Sequence, residues 1–214
     1  MMDQELALAI LLSGKSALLT GAAGTGKTHL LNNFITQARA MGKKVSVTAT
    51  TGLAATHLGG NTIHSWSGIG VADELATNFA ERMSKTRREV IQKTNVLIID
   101  EISMVRVDII DCVDRILRVF SGNMRLPFGG KQLLFVGDVF QLEPVVPSDQ
   151  KEILSRFYES SFFFSARVFK EINLVPIELQ KVYRQSDPVF INILDKIRNN
   201  GASSNELSRS EERR

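Results

Sequence analysis

The chain has 214 residues, 43% hydrophobic and 23% charged, which fits one good-sized globular domain or one domain with a small insertion. A net charge of only +3 permits a polyanionic partner without demanding one. Cys112 is the sole cysteine, so a disulfide within the chain is excluded and a zinc site is disfavoured.

Short apolar runs rich in β-formers alternate with segments of helical period, the pattern of a parallel α/β sheet. Ala17–Thr20 is the first predicted strand and enters a glycine-rich turn. Leu30, Leu31, Phe34, Ile35 and Ala38 then share one helical face, which stops at Gly42. Val45–Ala49 and Val96–Ile99 are the second and third strands. Val105, Ile109, Ile110, Val113, Ile116, Leu117 and Phe120 predict a long amphipathic helix. Leu133–Val136 is the fourth strand and Leu174–Leu179 the fifth. Asp187-Pro188 opens a last helix with Phe190, Ile193, Leu194 and Ile197 inward. Residues 66–95 are polar, with Lys85, Arg87 and Arg88 on a predicted helix, and read as an insertion between the second and third strands. Residues 201–214 contain one large apolar side chain, Leu207, and are expected to form a disordered tail. No apolar run approaches ~18 residues, and no charged-then-apolar leader opens the chain. The expectation is a soluble intracellular protein without a membrane span, in the cytoplasm or nucleoid of a bacterium or the nucleus of a eukaryote.

Residues 21–28 read GAAGTGKT, a complete G-x-x-x-x-G-K-[ST] between a predicted strand and a predicted helix. Gly21, Gly24 and Gly26 let the loop curl, so that the backbone N–H groups of Gly21, Ala22, Ala23, Gly24, Thr25 and Gly26 can face phosphate oxygens. Lys27 would reach the β- and γ-phosphates, and Thr28 would supply a hydroxyl to Mg²⁺. Val96-Leu-Ile-Ile-Asp-Glu101 is the matching acidic element: a strand buried on both faces that ends in two carboxylates. Asp100 would hold Mg²⁺, and Glu101 would polarise the attacking water. Such parts serve kinases, GTPases and motors alike. Glu101 favours hydrolysis over transfer, and no N-K-x-D is present to read guanine.

Gly137-Asp-Val-Phe-Gln-Leu-Glu-Pro-Val145 follows the fourth strand and places a neutral amide, Gln141, where it can report on the γ-phosphate. This stretch closely resembles motif III of superfamily-one helicases, in the Pif and RecD-like branch that moves 5′ to 3′. Thr48-Ala-Thr-Thr-Gly-Leu-Ala-Ala55 and Leu58-Gly-Gly-Asn-Thr-Ile-His-Ser65 resemble motif Ia and the segment after it. The resemblance implies contacts from Thr51, Gly52, Thr62 and His64 to the backbone of single-stranded DNA, for which small hydroxyls and a glycine are suited. Gln4 matches the family's adenine-reading glutamine. Val182-Tyr-Arg-Gln185 resembles motif IV, with Arg184 as an arginine finger on the γ-phosphate. The insertion lies where the family has a helical wedge.

The resemblance covers residues 1–200. It implies a three-layer RecA-like P-loop domain with sheet order 5-1-4-3-2, hydrolysing ATP with Mg²⁺ and holding single-stranded DNA weakly by itself. Glu143 departs from a proline common in motif III, and no second RecA-like domain or SH3-like insertion follows Asn200. A second such domain, missing or separate, is therefore an expected partner. Two rival readings stay open: a free-standing P-loop ATPase that assists recombination or transposition, and a truncated stub that binds nucleotide without turning it over.

Overall fold

The structure, a computed structural model, describes residues 3–69, 78–140 and 142–180. Gln141, Arg184, the helix expected from Asp187 and the polar tail lie outside the described residues. The elements are α1 (Gln4–Leu12), β1 (Ala17–Thr20), α2 (Lys27–Ala40), β2 (Val45–Ala49), α3 (Gly52–His57), β3 (Asn61–Thr62), α4 (Ile63–Ser67), α5 (Phe79–Arg82), α6 (Lys85–Lys93), β4 (Val96–Ile99), α7 (Val107–Ser121), β5 (Gln132–Gly137), α8 (Ser148–Ser155) and β6 (Val175–Glu178), with short 3-10 turns between some of them.

The strands form one sheet in the order β3-β2-β4-β5-β1-β6, and every pairing is parallel. The five predicted strands stand in the predicted order. The difference is a sixth, two-residue strand, Asn61–Thr62, which adds to the edge beside β2. Pro176 sits in β6 at the opposite edge, where a missing N–H breaks no ladder.

Both faces of the sheet are covered, which is why the central strands read as unbroken apolar runs. Leu97 and Ile99 of β4 and Leu133 and Phe135 of β5 pack with Ile109, Ile110, Val113, Ile116 and Leu117 of α7. Their neighbours Val96, Ile98, Leu134 and Val136 face the other way, onto Ala7 and Leu11 of α1 and Leu30, Leu31 and Phe34 of α2. This alternation gives three layers around the sheet, the α/β class expected. Each Val, Leu, Ile or Phe among them, taken fully from water, contributes about 1.5–3 kcal/mol.

One detail departs from the sequence reading. The helix expected from Val105 starts at Val107. Residues Ile102–Met104 form a 3-10 turn and Val105 is extended after it, so the chain turns over the sheet edge before the helix begins. The helix expected around Lys85, Arg87 and Arg88 in the polar stretch 66–95 is α6, and its Ile91 is fully buried in the α7-side core. Within it Arg88 donates to the carbonyls of Met83 at 2.7 Å and Glu81 at 2.7 Å, fixing the entry to the helix. No helix among the described residues is long and apolar enough to cross a membrane.

Candidate functional site

In an all-parallel sheet every strand ends at the same edge, so the loops after β1, β2, β4 and β5 converge there. This edge is where α/β folds hold ligands. The loop after β1 is curled into a cradle. Gly21, Gly24 and Gly26 all take positive φ, at 153°, 81° and 89°. A side chain on Gly21 would meet the Leu179 carbonyl oxygen and Thr25 Oγ1, each at 2.7 Å, so the loop passes too close to the strand β6 exit for any Cβ. Buried Thr25 tightens the bend by donating from Oγ1 to Ala22 O at 2.9 Å. Gly26 caps α2 in the left-handed conformation, and Lys27 and Thr28 open the helix.

Lys27 Nζ folds back over this cradle and donates to Gly21 O at 2.6 Å and Ala22 O at 3.1 Å. The cation thus sits at the mouth of a loop rich in N–H groups at a helix N-terminus, an arrangement built for an oxyanion. Gln4, at the start of α1, reaches the same loop: its Nε2 lies 3.4 Å from Gly26 O. A residue 22 positions upstream is thereby brought beside the cradle.

Asp100 and Glu101 follow β4. Asp100 N donates to Thr48 O at 2.8 Å, which holds the exit of β4 against β2. Burial pushes the Asp100 carboxyl above its ordinary range, the Glu101 N–H bonded to it opposes that, the Glu101 charge adds to it, and Lys27 and His57 act against it. Glu101 adopts φ 52°, ψ 43°, the left-handed region, which costs a residue with a Cβ on the order of 1–3 kcal/mol and persists only where neighbours enforce it. Its N–H donates to Asp100 Oδ1 at 2.8 Å and its carbonyl accepts from Met104 N at 3.0 Å. Its carboxylate Oε2 accepts from Thr50 Oγ1 at 3.1 Å. Asp100 and the Thr28 hydroxyl are oxygen donors only. That set suits a hard divalent cation whose remaining ligands are phosphates and water, the habit of Mg²⁺. No group of three or more His, Cys, Asp or Glu side chains placed to hold a metal ion exists among the described residues.

Asp138, just past β5, is nearly buried and accepts from Phe140 N at 3.1 Å, shaping the turn that leads toward position 141. On the other side of β4, Thr51 and Thr62 sit at the ends of β2 and β3. Each caps a short helix, Thr51 accepting from Ala54 N at 3.2 Å and Thr62 from Ser65 N at 3.1 Å. A capping oxygen accepts through a lone pair, so each hydroxyl keeps its proton for an outside acceptor. Gly52 has open space where a side chain would be. His64 lies in the first turn of α4.

The sequence-derived residues therefore fall at one sheet edge in two groups: Gln4, residues 21–28, Asp100 and Glu101 around the glycine loop, and Thr51, Gly52, Thr62 and His64 beside β2 and β3. Gln141 and Arg184 lie outside the described residues. The residue missed by the sequence reading is Thr50, which joins the two groups. Its signal was the strand register, which the sequence does not print.

The sequence matches the PIF1-like helicase family over residues 2–206. The ATP-dependent DNA helicase Pif1 of Psychrobacter sp. is 39% identical over 213 residues, covering 95% of this chain and 31% of that protein. Among solved structures, Pif1 helicase from Bacteroides in complex with ADP-AlF3 and ssDNA matches with a TM-score of 0.85 and 40% identity, over 97% of this chain and 49% of that one. Pif1 helicase from Candida albicans matches with a TM-score of 0.85 and 36% identity, over 98% and 47%. The chain thus spans about a third of the curated relative's length and about half of each solved chain.

Proposed function

The chain belongs to the PIF1-like helicase family, and from that membership we propose that residues 1–200 form the ATP-hydrolysing motor domain of a 5′-to-3′ DNA helicase of genome maintenance, in repair, recombination or at telomeres. The observation that carries this reading is the glycine loop closed by Lys27, with Asp100 and Glu101 at the end of β4 beside it. Three glycines with positive φ and a lysine folded over them have a physical purpose when triphosphate oxygens occupy the loop.

In this reading the loop N–H groups and Lys27 bind the β- and γ-phosphates, and Gln4 borders the adenine. Thr28 and Asp100 hold Mg²⁺, which when bound neutralises phosphate charge. Glu101 takes a proton from the attacking water, and Gln141 and Arg184 are assigned to the γ-phosphate by their motifs. A guanidinium fork matches the charge spread over the transferred oxygens. Thr51, Gly52, Thr62 and His64 hold the backbone of single-stranded DNA without reading bases. Residues 66–95 supply the wedge that meets the duplex.

Translocation requires two DNA grips whose separation changes with nucleotide state. Residues 1–200 supply one, so these 214 residues tested alone bind ATP and hydrolyse it slowly without separating strands. Calorimetric titration with Mg·ATP tests the phosphate assignment. Wild type should bind, and Lys27→Ala should lose most of its affinity; equal affinities would remove Lys27 and the loop from the site.

A further inference from the structure

Thr48 pairs with Ile99, Ile99 with Phe135, and Gly137 with Thr20. Carried two residues on, this register puts Thr50, Glu101, Gly137 and Thr20 in one row across the sheet edge, about 4.8 Å per strand. The glycine loop leaves the row after Thr20, two strands from Glu101 on one side. Thr50 lies one strand away on the other side. The Glu101 carboxylate is bonded to Thr50 Oγ1 at 3.1 Å, and among the described residues that hydroxyl is its one hydrogen-bond donor. The carboxylate is thus held toward β2, away from where the phosphates would lie.

The backbone beneath it is fixed. The left-handed turn at Glu101 is bonded at both ends, to Asp100 Oδ1 and from Met104 N. A Cβ on Gly137 would come within 3.1 Å of Ile102 N, so β5 packs tightly against the same turn. A change in where the carboxylate points is therefore a side-chain rotation, with Thr50 as its restraint. Thr50 also directly precedes Thr51 and Gly52. A hydroxyl has one proton, so Thr50 can donate to Glu101 or to a phosphate oxygen, but not to both.

We propose that Thr50 is a positioning residue that holds Glu101 turned away from the nucleotide, and that a nucleic-acid phosphate on segment 50–52 accepts the Thr50 hydrogen bond in place of Glu101 and releases the carboxylate toward the water it activates. The inference rests on the reading of Glu101 as the base that activates water. It makes the two groups at the sheet edge one device, in which DNA occupancy sets the fraction of productive carboxylate. A hydrogen bond to a charged group biases such an equilibrium on the order of 10–100-fold.

The test is single-turnover ATP hydrolysis by the 214-residue chain, with and without saturating oligo-dT, for wild type, Thr50→Val, Thr50→Ser and Glu101→Gln. Thr50→Val keeps the shape and lacks the hydroxyl. It should raise the DNA-free rate about tenfold and bring the ratio of the two rates close to one, with ATP affinity unchanged. Thr50→Ser should keep the wild-type rates and ratio. A slower Thr50→Val, or one that keeps the wild-type ratio, overturns the proposal, as does a wild-type rate that oligo-dT leaves unchanged. The NMR resonance of the Glu101 carboxyl carbon, which loses its Thr50 Oγ1 donor, gives a readout independent of turnover. Oligo-dT should shift it in wild type toward its position in Thr50→Val and leave it unmoved in Thr50→Val, and no change in wild type overturns the link. Wild-type hydrolysis no faster than that of Glu101→Gln removes Glu101 as the base, a separate failure, and leaves the carboxyl resonance to decide the link.

Discussion

Gly21→Ala tests whether the loop is as tight as its geometry states. The added Cβ would lie 2.7 Å from Leu179 O and 2.7 Å from Thr25 Oγ1. Neither obstacle moves easily. Leu179 is tied to β1 by its own N–H donating to Thr20 O at 2.9 Å, and Thr25 is buried with its hydroxyl bound to Ala22 O. Overpacking of this kind costs about 1–3 kcal/mol, and the positive φ of 153° at Gly21 adds backbone strain of about 1 kcal/mol. The sum, about 2–4 kcal/mol, lowers Tm by roughly 4–16 °C in a chain of this size. Gly42 is the control: it too has positive φ, 83°, but nothing lies within 4 Å of its Cβ position, so Gly42→Ala carries the strain alone, about 1–2 kcal/mol. Thermal unfolding by circular dichroism reads both variants. Gly21→Ala should also bind Mg·ATP more weakly, because Gly21 O anchors Lys27 at 2.6 Å. A Gly21→Ala chain that melts no lower than Gly42→Ala would refute the steric argument.

Asp114→Ala should cost about 2–4 kcal/mol in urea unfolding, because Asp114 accepts Phe128 N at 2.6 Å and pairs with Arg118 at 2.9 Å, all three groups largely out of water; an unchanged midpoint would show that the pair is idle. Gly52→Ala should leave Tm unchanged or slightly higher, since space is open and the helical conformation suits alanine, yet weaken oligo-dT binding in fluorescence anisotropy. Equal affinity would remove Gly52 from the DNA contact. Burial, and then the charge of Asp111 to which it donates at 3.0 Å, push the Tyr158 hydroxyl well above its ordinary value. A group raised on folding stabilises the fold below its unfolded value, near 10, and loses that contribution as pH rises beyond it. Denaturant midpoints should therefore fall above pH ~10 for wild type and less for Tyr158→Phe; parallel curves would contradict the shift. On a forked DNA with a 5′ tail, the 214 residues with ATP should separate no strands, and ATP-dependent separation by the monomer would break the two-grip argument.

The sheet was legible because its central strands are buried on both faces. Val96–Ile99 and Leu133–Val136 can only be interior strands, and the glycine motif between β1 and α2 sets their direction. The two-residue β3 was not legible: Asn61 and Thr62 are polar and too few to show a period, and they pair only because Thr48 and Ala49 offer an edge. Helix α7 was placed two residues early because Val105 continues its apolar rhythm, although Glu101's left-handed turn makes the chain bend first. At the site, the loop and the two carboxylates could be read from spacing. The capping roles of Thr51 and Thr62 were hidden, because α3 and α4 are too short to announce themselves. Thr50 was hidden for a different reason: its partner is 51 positions away, and only register brings a threonine after β2 opposite the glutamate after β4.

The measurement that bears most directly on the central claim is single-turnover hydrolysis of ATP with Mg²⁺ by the wild-type chain and by Glu101→Gln, with nucleotide binding checked in both. The account predicts that both chains bind, that wild type converts bound ATP to ADP, and that Glu101→Gln does so at least about a hundredfold more slowly, as expected when a general base is lost. Equal rates in the two chains would contradict the assignment of the β4 terminus as the water-activating end of a nucleotide motor.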